Sequence, residues 1–261
     1  MSSIFLFDSH THLQDKRLKK DLSGVIDRAR AAGVSKLVIC ATREKDWDAV
    51  MELAQNYSFI YPAFGIHPWF VNKVSEDWEE KLVGYLDKMP SAIGECGLDF
   101  VVQGTGREAQ EHIFKRQLLL AKKMHLPVSI HCRKAWERLF EILRKVGKLP
   151  GGGLIHSYSG SHELIPALEE MGFYICFSGT VSNPHSIRVH KALRKVSRER
   201  LLIETDSPDL LPYTVYEPDR KKHNEPAYLV AVAESVSELL DISFEEVASQ
   251  TFKNAEKLFK C

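Results

Sequence analysis

The sequence predicts an α/β fold, a single (β/α)8 TIM-like barrel over residues 1–261. Eight short apolar runs alternate with segments of helical periodicity, and no linker is long enough to separate a second domain. This alternation implies parallel strands with right-handed crossovers, and eight strands favour closure into a barrel. An open doubly wound sheet is the alternative fold, but nothing in the sequence resembles its Gly-rich dinucleotide turn.

The predicted strands are short apolar runs, most of which end in polar residues or glycine. The first, Ile4–Phe7, is continuously apolar and is therefore typical of a strand buried on both faces. The other seven are, in order, Lys36–Ala41, Phe59–Gly65, Ala92–Cys96, Pro127–His131, Leu154–His156, Phe173–Ser178 and Leu201–Asp206.

The segments between the strands have the periodicity of helices. The first helix is predicted over Leu22–Ala32, with Gly33 as its C-cap, and Ser75 is the expected N-cap of the third. The remaining predicted helices are Glu44–Tyr57, Ser75–Met89, Arg107–His125, Lys134–Val146, His162–Met171, Pro184–Val196, Ala227–Leu240 and Ser243–Phe259.

The composition is that of a soluble globular protein without bulk affinity for nucleic acid. The chain is 44% hydrophobic and 27% charged, which is enough apolar material for a sizeable core. Its 35 Lys and Arg residues balance 35 Asp and Glu residues. Any contact with nucleic acid must therefore come from a local patch or a metal centre.

The cysteines and the N-terminus predict an intracellular protein, in the cytoplasm, the nucleus or both. The five cysteines are scattered and form no Cys-x-x-Cys pair, which is typical of reduced thiols. The N-terminus lacks a secretory signal, and no apolar run reaches the ~20 residues needed to cross a bilayer. We expect a monomer without a membrane partner.

Metal-capable side chains follow the predicted strands at their carboxyl ends. His10 and His12 are two positions apart after the first strand, so both can face one ion. In a parallel barrel all these ends open on one face, where catalytic residues gather. A hydrogen-bonded structural role explains any one of these residues, but not the whole set. The set is His10, His12, Glu95, His131, His156 and Asp206.

Two divalent ions explain this ligand set better than one. Three or four ligands complete a mononuclear zinc site, whereas six with a central carboxylate suit a dinuclear one. Glu95, across the barrel from the first pair, is the predicted bridge. His10, His12 and Asp206 would hold one ion, and His131 with His156 the other. Ligands of this kind leave Zn²⁺, Mn²⁺ and Mg²⁺ open, and a third ion near Glu204 and His67 also stays open.

Such a centre activates water for hydrolysis of phosphoesters, and equally of amides or esters. Asp206 is placed to orient or deprotonate that water, so Asp206 and Glu95 are the predicted catalytic residues. Cys132 lies beside a metal ligand and is interpreted as a packing residue.

Six motifs closely resemble those of the TatD family of metal-dependent deoxyribonucleases, and they run the length of the chain. There are three departures from the family pattern. Gln14 replaces the usual Asp or Asn, Tyr158 replaces the usual Phe, and the segment Lys222–Pro226 lacks the common Arg before Asn-Glu-Pro. None removes a metal ligand. The motifs are Leu6–Leu13, Gly65–Pro68, Gly94–Asp99, Pro127–Arg133, His156–Gly160 and Leu202–Pro208.

The resemblance implies a TIM-like barrel of the amidohydrolase-like, metal-dependent hydrolase type that cleaves DNA with divalent metals. The ligands it implies are the same six residues. The expected reaction is hydrolysis of DNA phosphodiester bonds, exonucleolytic, on single strands or ends. An ester or amide hydrolase, such as an aminoacyl-tRNA deacylase, is the alternative enzyme. A non-catalytic nucleic-acid-binding barrel is the alternative from another class.

Four residues are candidates for substrate contact, namely Arg133, His67, Trp69 and Glu204. Arg133 could form a fork onto a phosphate, and Trp69 could stack on a base or serve as an ordinary hydrophobic lid. The basic run Asp219–His223 could add contacts to the DNA backbone.

Overall fold

The computed structural model describes residues 5–216 and 223–261, and in them eight strands follow one another around one sheet. Each strand pairs in parallel with the next one along the chain. The strands are β1 (Leu6–Thr11), β2 (Val34–Cys40), β3 (Ile60–Phe64), β4 (Ala92–Asp99), β5 (Val128–Arg133), β6 (Gly153–Ile155), β7 (Phe173–Phe177) and β8 (Leu201–Ile203).

Backbone hydrogen bonds join the first and last strands just beyond the end of β8. The amide of Asp206 donates to the carbonyl of His10 at 3.0 Å, and the amide of His12 donates to the carbonyl of Ser207 at 2.8 Å. These bonds close the sheet on itself. The predicted (β/α)8 barrel is therefore confirmed, and the open doubly wound sheet is excluded.

Helices surround the sheet in the predicted order. They are α1 (Leu22–Ala31), α2 (Glu44–Asn56), α3 (Trp78–Leu86), α4 (Arg107–Met124), α5 (Trp136–Val146), α6 (Ile165–Glu170), α7 (Ile187–Leu193), α8 (Leu229–Leu240) and α9 (Phe244–Phe259). The predicted basic helix Pro184–Val196 is shorter in the structure, because 3-10 and turn residues precede α7.

The predicted N-cap of the third helix was wrong. Helix α3 begins at Trp78, and Asp77 is its N-cap residue. Ser75 instead gives its amide and its hydroxyl to the carboxylate of Glu44, in the first turn of α2. The hydroxyl of Ser75 therefore forms a tertiary contact with Glu44 instead of capping α3.

Strand boundaries also differ from the prediction at the two motifs that matter most. β1 runs from Leu6 through Thr11, so His10 lies within the strand, and Phe5 is 55% exposed. Ile4, the predicted first residue, lies outside the described residues. β4 continues past Glu95 to Asp99, because its pairing with β5 extends from Cys96 to Asp99.

The amino-terminal end of the barrel is sealed by α9. We call the aromatic cluster of Phe7, Tyr61, Phe252 and Phe259 the closed end. The ring of Phe7 stacks on Phe259 and meets Phe252 edge-on, each at 5.8 Å between centroids. Tyr61 lies 5.5 Å from Phe259. Asn254 of α9 also donates to two backbone carbonyls at the start of β8. The carboxyl-terminal end is therefore the one left accessible.

The rest of the structure is that of an ordinary globular barrel. All five cysteines lie in the described part of the chain and are unpaired, and four of them are buried. Over residues 5–216 and 223–261, no helix combines the length and the apolar character needed to cross a membrane.

Candidate metal centre

Six side chains predicted from the strand ends converge at the accessible end of the barrel. We call this set the candidate centre. His10, Glu95 and His131 lie within strands, His12 and His156 directly follow strands, and Asp206 lies three residues after the end of β8. Neighbouring nitrogen and oxygen atoms across the set are 2.9–4.0 Å apart. The members are His10, His12, Glu95, His131, His156 and Asp206.

Glu95 lies between two groups of histidines and turns one oxygen toward each. Its Oε1 is 2.9 Å from His156 Nε2 and 3.0 Å from His131 Nδ1. Its Oε2 is 3.4 Å from His12 Nε2 and 3.5 Å from His10 Nε2. A carboxylate in this arrangement can bridge two cations, one on each side.

An irregularity in β4 aims Glu95 into the barrel. The register between β4 and β5 shifts between Ile93 and Cys96, and the amide of Glu95 donates to the carbonyl of Ala41. Such bulges re-aim side chains beside active sites. Gly97 follows at φ +147, and a Cβ there would meet the carbonyl oxygen of His131 at 2.0 Å. Only glycine therefore lets β5 approach closely enough to bring His131 to Glu95.

Asp206 lies on the side of the first histidine pair. Its Oδ1 is 3.4 Å from His12 Nε2 and 3.7 Å from His10 Nε2. Its backbone is in the left-handed region at φ 56, a conformation that non-glycine residues adopt mostly where surrounding contacts fix it. The hydrogen bond from its amide to His10 is one such contact. Burial raises the pKa of Asp206, but His12 and the other nearby histidines outweigh burial and hold this pKa below its usual range.

The outer ring nitrogens of the four predicted histidine ligands face oxygen atoms. His12 Nδ1 is 2.7 Å from the carbonyl of Cys40, which can only accept, so this nitrogen carries the proton. His156 Nδ1 is 3.3 Å from the carboxylate of Glu204, and His131 Nε2 is 3.4 Å from that of Asp99. His10 Nδ1 lies 2.8 Å from the Ser129 hydroxyl. In the neutral tautomers this leaves the inward nitrogens with free lone pairs.

These lone pairs fit metal ions. Nitrogen lone pairs and carboxylate oxygens that face each other at 2.9–3.7 Å repel unless a cation or a proton lies among them. With their rings deprotonated, as metal binding requires, the four histidines and two carboxylates also form the donor set that Zn²⁺, Mn²⁺ or Mg²⁺ can use. Burial raises the pKa of Glu95, but the histidines hold this pKa well below its usual range, so its negative charge persists. The residues present therefore fit divalent ions.

Unlike the four predicted ligands, His67 carries its proton on the ring nitrogen that faces inward. Its Nδ1 accepts a hydrogen bond from the amide of Trp69 at 3.2 Å, so the neutral ring carries its proton on Nε2. That nitrogen is 3.3 Å from Glu95 Oε1 and donates to it. Burial lowers the pKa of His67 to about 4, which keeps the ring neutral. His67, predicted to contact substrate, thus lies among the histidines as a hydrogen-bond donor to Glu95.

The structure corrects the predicted role of Glu204. Its side chain is 0% exposed and lies behind His156, so it cannot reach a substrate in this arrangement. Its Oε1 accepts from the amide of Ser157 at 2.6 Å. Its Oε2 has no hydrogen-bond partner among the described residues. Glu204, the first residue after β8, therefore lies behind a predicted metal ligand and not at the mouth.

Arg133 and Trp69 lie at the mouth of the barrel and remain accessible. The side chain of Arg133 is 54% exposed, with Nη1 3.8 Å from the Asp99 carboxylate. Trp69 is 45% exposed, and its ring lies edge-on to that of His67, 4.9 Å between centroids. Of the predicted basic run Asp219–His223, residues 219–222 lie outside the described residues.

Sequence reasoning missed Asp99. It is fully buried at the end of β4 and touches both His131 and Trp69. Its position four residues after Glu95 on the same strand is a signal that could have placed it near the mouth, but the predicted strand stopped at Cys96.

Comparison with known proteins places the chain among metal-dependent hydrolases. Residues 7–260 match the family model described as TatD related DNase. The chain is 37% identical over 258 residues to the uncharacterized metal-dependent hydrolase YabD of Bacillus subtilis, covering 98% of this chain and 99% of that protein. It is 34% identical over 258 residues to the 3'-5' ssDNA/RNA exonuclease TatD of Citrobacter rodentium, covering 97% of each.

Solved structures show the same barrel. The crystal structure of YJJV, a TatD homolog from Escherichia coli, superposes with a TM-score of 0.91 at 30% identity, covering 98% of each chain. A hydrolase of the TatD family from Entamoeba histolytica superposes with a TM-score of 0.84 at 24% identity, covering 99% of this chain and 98% of the other, a likeness of fold alone.

Proposed function

The chain belongs to the family of TatD-related DNases, and from this membership we propose that it is a metal-dependent deoxyribonuclease that acts exonucleolytically on single strands or ends of DNA. The proposal includes two divalent ions, Zn²⁺, Mn²⁺ or Mg²⁺, held by the candidate centre. DNA is the proposed partner, and the active unit is a single barrel over residues 1–261 that works as a monomer.

The observation that carries the proposal is the position of Glu95. Its two oxygens face different histidine groups at 2.9–3.5 Å, which is the arrangement expected of a bridging ligand. His10, His12 and Asp206 would hold one ion, and His131 and His156 the other. When bound, such ions supply Lewis acidity toward a phosphoryl oxygen and make water a stronger nucleophile.

Asp206 is the residue best placed to orient or deprotonate the attacking water. Its side chain is 12% exposed, compared with 4% for Glu95, so it lies nearer the solvent side of the centre. Its low pKa keeps it ionised and able to accept a hydrogen bond from water. Glu95 is proposed to act by bridging the two sides of the candidate centre.

Substrate contacts are proposed for two residues at the mouth. The guanidinium of Arg133 can form two hydrogen bonds to one phosphate, which fixes its orientation. The exposed face of Trp69 can stack on a base, which is possible only where that base is unpaired. Together with the activity in the name of the Citrobacter rodentium relative, this supports single strands or ends as substrate.

An ester or amide hydrolase remains the second candidate, because the same centre serves either reaction. The relative from Bacillus subtilis is named only as a metal-dependent hydrolase, which is compatible with both.

The test is cleavage of end-labelled single-stranded DNA by purified protein that is stripped of metal and then given Mg²⁺, Mn²⁺ or Zn²⁺. We expect metal-dependent shortening of the strand that is lost in Glu95→Ala and Asp206→Ala. Full activity in both variants would reject the assigned roles. A protein that holds its metal but cleaves only aminoacyl esters would favour the second candidate. One that binds DNA without turnover in any metal would favour a binding module.

A further inference from the structure

We propose that Asp99 is a positioning residue that fixes Trp69 as a base-stacking platform beside the candidate centre. The inference rests on the proposed nuclease function and deepens it, because it assigns the preference for unpaired bases to a named pair of residues. Asp99 does not touch the substrate in this proposal. It acts through Trp69.

One carboxylate oxygen links the platform to the candidate centre. The indole Nε1–H of Trp69 donates to Asp99 Oδ2 at 2.8 Å. The same oxygen lies 3.4 Å from His131 Nε2. A hydrogen bond to a charged acceptor is among the stronger ones in proteins. The indole is therefore tied at a fixed distance from a proposed metal ligand.

A second tie reaches the backbone of Trp69. Its amide donates to Nδ1 of His67 at 3.2 Å, and the two rings meet at 89°. His67 itself donates to Glu95. Trp69 is thus connected to the candidate centre twice, once through its backbone and once through its ring, while almost half of its surface remains exposed.

Asp99 is itself held from three directions, so it can position another residue. Its amide donates to Oε1 of Gln110, and its carbonyl accepts from Nε2 of the same side chain. Its Oδ1 accepts from the amide of Val101 at 2.9 Å and from that of Val102 at 3.3 Å. Its carboxylate can move little without breaking these bonds.

A preorganised aromatic face lowers the entropy lost when a base stacks on it. A free tryptophan at a loop would offer the same area but would have to be ordered during binding. Stacking also requires a base that is not paired in a duplex. The tie to Asp99 should therefore appear in substrate affinity and in strand preference.

The experiment is a double-mutant cycle on Trp69→Phe and Asp99→Ala. Phe keeps an aromatic face but has no N–H for Asp99. The readouts are kcat and KM on labelled single-stranded DNA, and the Kd of metal-depleted protein for the same strand by fluorescence anisotropy. Asp99→Asn keeps an acceptor oxygen and is the conservative variant, and Phe5→Ala removes an exposed aromatic ring away from the mouth.

We expect Trp69→Ala to raise Kd and KM about tenfold, in line with the loss of one stacked base. Trp69→Phe and Asp99→Ala should each raise Kd about threefold through loss of the tie. In the Trp69→Phe background, Asp99→Ala should raise Kd by a clearly smaller factor than in the wild type, because only its contact with Arg133 is then lost, although it can lower kcat through His131. Asp99→Asn should restore most of the affinity, and Phe5→Ala should leave it unchanged.

A strand with an abasic site near its cleaved end tests stacking on Trp69 separately, because it lacks the base that Trp69 would contact. The wild type should bind this strand more weakly than the intact one, and Trp69→Ala should bind both equally. If Asp99→Ala raises Kd by the same factor in both backgrounds, or Trp69→Ala still discriminates, the inference is overturned while the nuclease function stands. A wild type that neither binds nor cleaves the strand would overturn both.

Discussion

The two ends of the barrel are built from the same strands but hold opposite chemistry. On β1, Phe7 packs into the closed end against two rings of α9, and His10, three residues further on, enters the candidate centre. On β3, Tyr61 joins the closed end, and His67 lies just beyond the strand at the mouth. One end is aromatic and covered by a helix, whereas the other is polar and accessible.

This difference divides stability from function along the barrel axis. Burial of large aromatic rings stabilises the fold, whereas buried carboxylates and histidines cost desolvation energy that only ions or hydrogen bonds offset. The last helix of the chain, α9, supplies the seal of the amino-terminal end. Variants at the two ends should therefore separate loss of activity from loss of stability.

The largest effect should come from Glu95→Gln. The substitution keeps the shape of the side chain but removes the charge shared by both histidine groups. We expect kcat/KM on single-stranded DNA to fall by about 10³-fold or more, together with bound metal measured by elemental analysis. A variant with normal metal content and activity would contradict the bridging role.

Phe259→Ala should have the opposite profile. Removal of this buried ring opens a cavity at the closed end. We therefore expect the free energy of unfolding, measured in urea, to fall by about 3–5 kcal/mol. At a temperature where the variant is folded, kcat and metal content should match the wild type. Phe5→Ala, which removes an exposed ring, is the control and should change stability by less than about 0.5 kcal/mol. Loss of kcat in the folded Phe259→Ala protein would show that the two ends are coupled.

The variants His67→Gln and His131→Gln should differ in bound metal and in kcat, although both residues lie at the accessible end. The tautomers make His67 a donor to Glu95 and His131 a ligand. His67→Gln can still donate, so we expect two ions per chain and a fall in kcat of about 10–100-fold, the range typical of residues behind a ligand. His131→Gln should lose one ion. Equal metal loss in the two variants would show that His67 is also a ligand.

The smallest effect should come from Ser243→Ala. Ser243 and Glu246 form a capping box that begins α9, the helix of the closed end. Loss of the cap should lower the free energy of unfolding by about 1 kcal/mol, without a change in kcat. Thermal unfolding in parallel with activity measures both, and a change in activity alone would argue against the division between the two ends.

The predicted fold and most of the candidate centre followed from local patterns, whereas individual roles did not. The strand ends were readable because parallel strands bring their carboxyl ends to one face, so six residues distant in sequence could be grouped. The predicted role of Glu204 was wrong, because a residue two positions before Asp206 points behind His156 rather than toward the mouth. The predicted cap at Ser75 was wrong, because Glu44 lies close enough to compete for it.

The alternation of strands and helices can be read from the sequence alone, and it predicts the barrel and the face on which the metal-capable residues meet. Which nitrogen of each histidine faces inward depends on contacts between distant segments. These contacts make His67 a donor to Glu95, whereas His12 presents a lone pair. The same holds for Asp99, which accepts a hydrogen bond from the indole N–H of Trp69. The reason is physical: strand periodicity is local, whereas a hydrogen-bond partner such as the carbonyl of Cys40 comes from a strand distant in sequence.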